Sequence, residues 1–205
     1  MSNTTKENII VTGFGPFDKH LVNASWESVK LLPDEIEGIN LIKQEIPVEY
    51  QHVQTNIPKL WEQHRPLLVV HVGVSSGAKK ITVEKCAYKN GYIKCDSAGL
   101  IHQTGEASLD GENCILTEID VDRICNRLNG TGKIEACLSE DAGRYLCEFI
   151  YYTSLNVDSS RTLFIHVPPL NEPYTAKELS EGLIEIIKCA LEQILSNKEQ
   201  CICVL

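Results

Sequence analysis

Apolar and polar positions along the 205-residue chain follow two alternating rhythms. Short unbroken apolar runs bounded by Gly, Pro or polar clusters mark strands covered on both faces, and apolar residues three and four apart mark helices. Residues 8–12 form a first short run, ending at Gly13-Phe14-Gly15-Pro16-Phe17. Asn23 stands where a cap is expected, ahead of a helix through Trp26, Val29 and Leu32 that stops near Pro33. Residues 39–48 read as a strand and residues 50–64 as a helix that Pro58 is expected to end or kink. The clearest buried strand is 67–74, Leu-Leu-Val-Val-His-Val-Gly-Val, and 81–88 reads as another. Between 89 and 113 Gly, Asp, Asn and Ser accumulate and the periodicity is lost, which predicts an irregular insertion on one edge or over one face. A helix over 120–128, a strand over 134–139, a helix over 144–155 and a strand over 161–167 follow, the last stopped by Pro168-Pro169. The final helix starts at Thr175, with Glu178 completing a capping box and an apolar stripe from Leu179 to Ile194; a polar tail follows Ser196.

Alternating strands and helices predict an α/β fold: a single-domain three-layer sandwich with a largely parallel twisted central sheet flanked by helices. One domain over residues 1–205 is expected, with flexible termini at 1–7 and 197–205.

Composition narrows the function classes. The formal net charge is -9, which argues against a nucleic-acid partner, since phosphate binders need a basic footprint. No stretch approaches the ~18 apolar residues of a membrane span, and the run Ile9-Ile10-Val11 is too short for a signal-peptide core. A cytoplasmic protein is expected, in which the sequons at Asn3, Asn23 and Asn129 are coincidental. Nine cysteines, an odd number without a C-x-x-C pair, fit neither a disulfide framework nor a closed zinc site, so no metal is expected. The ending Cys-Ile-Cys-Val-Leu is out of register for prenylation. Most of the thiols read as inert packing residues.

Four segments at predicted strand ends could carry chemistry, because open α/β sheets place their sites there. The two glycines of Gly13–Phe17 allow close backbone approach and its phenylalanines can wall a small pocket; the alternative is a structural turn. Cys147 falls in the first turn of a helix, where unpaired N–H groups and the helix dipole favour a thiolate and can hold an oxyanion; the alternative is a small packing residue. His166 closes an apolar strand at the same sheet edge and could serve as its base, or be a satisfied core histidine, a description that suits mid-strand His71 better. His20, His52, His64 and His102 read as surface or loop residues. Glu84, in a β-branched setting, could orient His166, or belong to a salt bridge or an edge strand.

Together these segments are familiar. Thr12-Gly-Phe-Gly-Pro-Phe17, Asn23-Ala-Ser-Trp-Glu27, His71-Val-Gly73, Ile81-Thr-Val-Glu84, Asp141-Ala-Gly-Arg-Tyr-Leu-Cys147 and Phe164-Ile-His-Val-Pro168, in this order, resemble the pyroglutamyl-peptidase I (pyrrolidone-carboxylate peptidase) family of cysteine peptidases. The resemblance covers roughly residues 8–196, and 141–155 looks especially like the animal form. It implies a Cys147–His166–Glu84 triad acting through a thioester. It also implies a ring pocket walled by Phe14 and Phe17 with Tyr145 and Leu146, and a basic residue best matched by Lys94. No cofactor is implied, the substrates are peptides with an N-terminal pyroglutamate, and the animal-like pattern suggests a monomer. Two positions depart from the bacterial pattern: Val74 replaces a glutamine that bonds the lactam and Val48 a pocket threonine. Lactam recognition is then expected from backbone groups or from the 89–113 insertion. The rival readings are a catalytically silent binder of pyroglutamyl-type termini and a nucleoside-handling α/β enzyme, the latter lacking any phosphate-binding loop.

Overall fold

The computed structural model describes residues 7–17 and 22–202, with side chains through 198. The strands are β1 (Asn8–Phe14), β2 (Glu35–Ile36), β3 (Ile39–Ile46), β4 (Leu68–Val74), β5 (Ile81–Glu84), β6 (Cys86–Tyr88), β7 (Cys114–Leu116), β8 (Ala136–Ser139) and β9 (Thr162–Val167). The helices are α1 (Ala24–Lys30), α2 (Tyr50–His64), α3 (Val121–Gly130), α4 (Leu146–Leu155) and α5 (Ala176–Ile202).

Seven strands form one sheet in the order β2-β3-β1-β4-β9-β5-β8. The β3-β1-β4-β9 block is parallel; β5 runs antiparallel to β9, β8 is parallel to β5, and β2 is antiparallel to β3. The expected three-layer α/β sandwich with a largely parallel sheet is what forms. Helices α1, α3 and α5 cover one face and α2 and α4 the other. The central strands β4 and β9 are buried on both faces, which is why they read as unbroken apolar runs.

Local signals set several boundaries. Asn23 caps α1 through its side chain, Asp120 caps α3 the same way, and Thr175 exchanges hydrogen bonds with Glu178 ahead of α5; each such cap contributes about 1 kcal/mol. Pro58 does not end α2. Pro58 and Gln54, whose carbonyl loses its partner, are both exposed, so water replaces the missing bond. The apolar stretch 81–88 is two strands. At Lys85 the chain leaves the main sheet, and β6 pairs instead with β7, a short strand without a sequence signal of its own. Helix α5 continues past Ser196 to Ile202. His20, Asn3 and Cys203 lie outside the described residues.

Residues 89–113 hold little regular structure and fold back onto the body. Ser97 N–H donates to the Val48 carbonyl (2.9 Å), Asp96 accepts from Tyr50 N–H (3.2 Å), and Tyr145 Oη donates to the Cys95 carbonyl (3.1 Å). The insertion is a strap over the α2/α4 side of the sheet.

Candidate active site

Strand register brings the candidate residues together. Parallel pairing sets Gly73 of β4 beside His166 of β9, and antiparallel pairing sets Thr82 beside His166 and Glu84 beside Phe164. Side chains two apart share a face, so Phe164, His166, Thr82 and Glu84 all point towards α2 and α4. Glu84 reaches diagonally to His166, whose Nδ1–H donates to Oε1 at 2.7 Å. Both are buried, and the other carboxylate oxygen of Glu84 has no partner. Tyr151 of α4 donates to the Glu84 backbone carbonyl (3.0 Å) and pins the end of β5.

Cys147 is the second residue of α4. Gly143, at φ 80, turns the chain towards the helix in a left-handed conformation that glycine adopts without strain. Tyr145 is the extended cap residue and gives no side-chain cap bond, so the first-turn N–H groups are not closed off by it. The thiol lies over Gly73: a Cβ at that position would sit 2.7 Å from Sγ. With Nδ1 of His166 committed to Glu84, the opposite ring nitrogen is the one left to serve the sulfur.

Burial pulls the His166 proton affinity down, but the charge and hydrogen bond of Cys147, and those of Glu84, outweigh it and raise the pKa to about 10. Elsewhere in the molecule, burial pushes the Cys86 thiol up to about 12 and the Cys125 thiol to about 11. His71 is fully buried between Thr12 Oγ1 and Ser154 Oγ, each 2.7 Å away, and burial lowers it to about 3, so it is a neutral core histidine. Glu148, next to Cys147, is also fully buried. Arg144 Nη1 donates to its two oxygens at 2.8 and 2.7 Å and Tyr88 N–H donates at 3.3 Å. Burial raises Glu148 to about 7 against the pull of Arg144, and the cluster ties the start of α4 to β6.

Two recesses meet at Cys147. One, of about 70 Å³, is walled by Phe14, Phe17, Val48, Val74, Tyr145 and Leu146, with Asn23 at its lining. The other, of about 400 Å³, is polar and open, lined by Ser75, Ser76, Thr82, Ser139 and Asp141 together with Glu84 and His166. Phe14, Phe17, Tyr145 and Leu146 thus gather with the thiol. Lys94 does not: it is exposed on the strap and lines neither recess. The larger hollow beside α5, about 740 Å³, has no Cys or His in its lining. No group of three or more His, Cys, Asp or Glu among the described residues could hold a metal ion, and no helix among them is long and apolar enough to cross a membrane.

A family profile described as pyroglutamyl peptidase matches residues 7–196. The chain belongs to that family. It is 46% identical over 198 residues to human pyroglutamyl-peptidase 1, covering 95% of this chain and 93% of that one. It is 31% identical over 195 residues to the pyrrolidone-carboxylate peptidase of Thermococcus onnurineus, covering 92% and 97%. Among solved structures, the pyroglutamyl peptidase I of Bacillus amyloliquefaciens superposes with a TM-score of 0.81 at 26% identity, covering 91% and 96%. The pyrrolidone carboxyl peptidase of Thermococcus litoralis shares the fold at a TM-score of 0.85 and 20% identity, covering 93% and 96%.

Some residues of the site have no role of their own assigned from the sequence, Gly73 and Asn23 standing there only within the motifs that carry the resemblance. Gly73 reads as part of an apolar strand, and only the packing of α4 shows why it has no side chain. Tyr151 reads as core. Asn23 reads as a helix cap, which it is, and its second position in the small recess follows from the turn of Gly13–Phe17.

Proposed function

We propose that the chain hydrolyses the amide bond after an N-terminal L-pyroglutamyl residue of small peptides, as a cysteine-type omega peptidase. The observation that carries this reading is the convergence of Cys147, His166 and Glu84 in one polar cleft, with His166 and Glu84 2.7 Å apart and Cys147 also lining a small apolar recess. A pyroglutamyl residue has no free α-amine, so a neutral, largely apolar seat suits its ring. Phe14, Phe17, Tyr145 and Leu146 hold the ring, and the open polar cleft takes the departing peptide.

The Cys147 thiolate attacks the pyroglutamyl carbonyl carbon. First-turn N–H groups of α4 receive the developing oxyanion. His166, oriented by Glu84, gives its proton to the leaving amine as the C–N bond breaks, and a thioester remains. Water, deprotonated by His166, then hydrolyses the thioester, returning the thiolate–imidazolium pair. Each step uses side chains, backbone N–H groups and water. A nucleophile that must stay reduced suits the cytoplasm, and we assign the enzyme there as a monomer, checked by fractionation and light scattering.

Cys147→Ser and His166→Ala are each expected to lower release of aminomethylcoumarin from its pyroglutamyl amide at least ~10³-fold with the fold intact by circular dichroism. Activity within tenfold of the parent in either variant would remove the mechanism.

A further inference from the structure

Among the described residues, one polar side chain besides Tyr145 and the Cys147 thiol lines the small recess: Asn23, which is 3% exposed. The orientation of its carboxamide is fixed by partners whose roles cannot be exchanged. The Ser25 N–H, which can only donate, lies 3.1 Å from Oδ1, and the Gly15 carbonyl, which can only accept, lies 3.0 Å from Nδ2. A flipped amide would set donor against donor and acceptor against acceptor. Ser25 Oγ also donates to Oδ1 at 2.8 Å while accepting the Phe14 N–H at 3.0 Å. Asn23 and the aromatic wall Phe14 are therefore locked to one another. Nδ2 carries two hydrogens. Gly15 takes one, and the second has no acceptor among the described residues.

A buried N–H without a partner costs free energy unless a ligand satisfies it. The pyroglutamyl ring brings the complementary need, since its carbonyl loses water on entering an apolar recess. Val48 and Val74, which also line the recess, have no side-chain group to offer it. We propose that the free Nδ2–H of Asn23 donates to the ring carbonyl, so that Asn23 is the residue that distinguishes a lactam from a plain five-membered ring. The proposal rests on the reading of this recess as the seat of the pyroglutamyl ring. Asn23 touches the ring and not the scissile bond, so it sets specificity while Cys147, His166 and Glu84 do the chemistry.

The test compares the parent with Asn23→Asp and Asn23→Ser. Both variants keep an oxygen to accept the Ser25 N–H and both remove the amide hydrogens. The first readout is protection of Cys147 from iodoacetamide by 2-pyrrolidone, which needs binding but no turnover. The concentration giving half-protection should rise ~10–100-fold in both variants, the loss expected for one buried hydrogen bond, while Cys147 alkylates at a similar rate without the lactam. The second readout is the ratio of kcat/KM for the pyroglutamyl amide of aminomethylcoumarin to that for its cyclopentanecarbonyl amide. That ratio should fall by the same factor. An unchanged half-protection concentration would overturn the proposal. So would an equal loss on both amides, which is what a purely structural role of Asn23 predicts. If one variant does not fold, the other decides. If the parent released no pyroglutamate, the proposed activity would fail, and 2-pyrrolidone protection would still decide the role of Asn23.

Discussion

Replacing Gly73 with alanine should disable Cys147, the proposed nucleophile, without touching any member of the proposed triad. The added Cβ would lie 2.7 Å from Cys147 Sγ and 2.8 Å from Phe164 Cζ. Ordinary contact distance between carbon atoms is about 3.5–4.0 Å, so each overlap is close to 1 Å. Strand β4 cannot yield, because it is hydrogen-bonded on one side to β1 and on the other to β9. Phe164 is fully buried and packed against Tyr151 and His166, so its ring has little room. The sulfur is the softest neighbour, and rotation about the Cys147 Cα–Cβ bond carries it away from His166. Misplacement of a reacting group by ~1 Å costs about 10²-fold in rate, equivalent to ~2.7 kcal/mol of activation free energy. Overpacking should also cost about 1–3 kcal/mol of stability. Steady-state hydrolysis of the pyroglutamyl amide of aminomethylcoumarin measures the first effect and urea unfolding the second. A stable Gly73→Ala protein with kcat within threefold of the parent would refute the reasoning, since the thiol would then not depend on the space that glycine leaves.

Four further outcomes follow from the geometry. The raised pKa of His166, about 10, places the loss of the imidazolium proton far above the ordinary histidine range. Activity should therefore hold until pH approaches 10 and then fall; the stability this pair contributes is full below the unfolded histidine pKa of ~6.5 and lost as pH rises through about 10. Glu84→Gln should move the alkaline limb of the pH–rate profile to lower pH and cost less activity than losing Cys147; an unmoved limb would mean Glu84 does not support the charge. His71, lowered to about 3 by burial, works in the opposite direction. The unfolded chain takes up that proton first, so stability should fall as pH drops below ~6.5, by up to ~1.4 kcal/mol per unit, and His71→Gln should flatten that slope in urea midpoints between pH 4 and 6.5. Finally, iodoacetamide at low excess should label Cys147 before exposed Cys95 and Cys137, with loss of activity tracking one label per chain by peptide mass mapping. Prior labelling of Cys95 or Cys137 with Cys147 spared would remove the case for an activated thiolate.

Elements whose cause is local were legible in the chain. Helix α2 runs over residues 50–64 as its periodicity predicts, the capping box at Thr175 forms, and Asn23 caps as its type suggests. What failed to show is what depends on distant partners. The break at Lys85 arises because Glu84 pairs with β9 while Cys86 pairs with a strand some thirty residues on, and no residue at 85 announces the change. The site was legible as residue types at strand ends, and the family likeness joined them. The diagonal reach of Glu84 to His166 needs the antiparallel direction of β5, and a mostly parallel pattern gives no hint of that reversal. The strap over 89–113 could be recognised as irregular, but its anchor points are backbone groups, which every residue possesses.

Those anchors bear on which peptide bonds the enzyme can reach. Ser97 ties to Val48 and Cys95 to Tyr145, so two walls of the 70 Å³ recess are stitched to the same short stretch of backbone. On the proposed reading the ring takes up this recess and the rest of the peptide lies in the open cleft on the other side of Cys147. Pyroglutamate closes its own nitrogen into the ring, so nothing precedes it, whereas any bond further along a chain brings a longer segment to a recess of about 70 Å³. The stitched walls thus limit how much chain can lie ahead of the scissile bond, which spares a protein interior, while telling a lactam from an unmodified terminus falls to the groups that meet the ring.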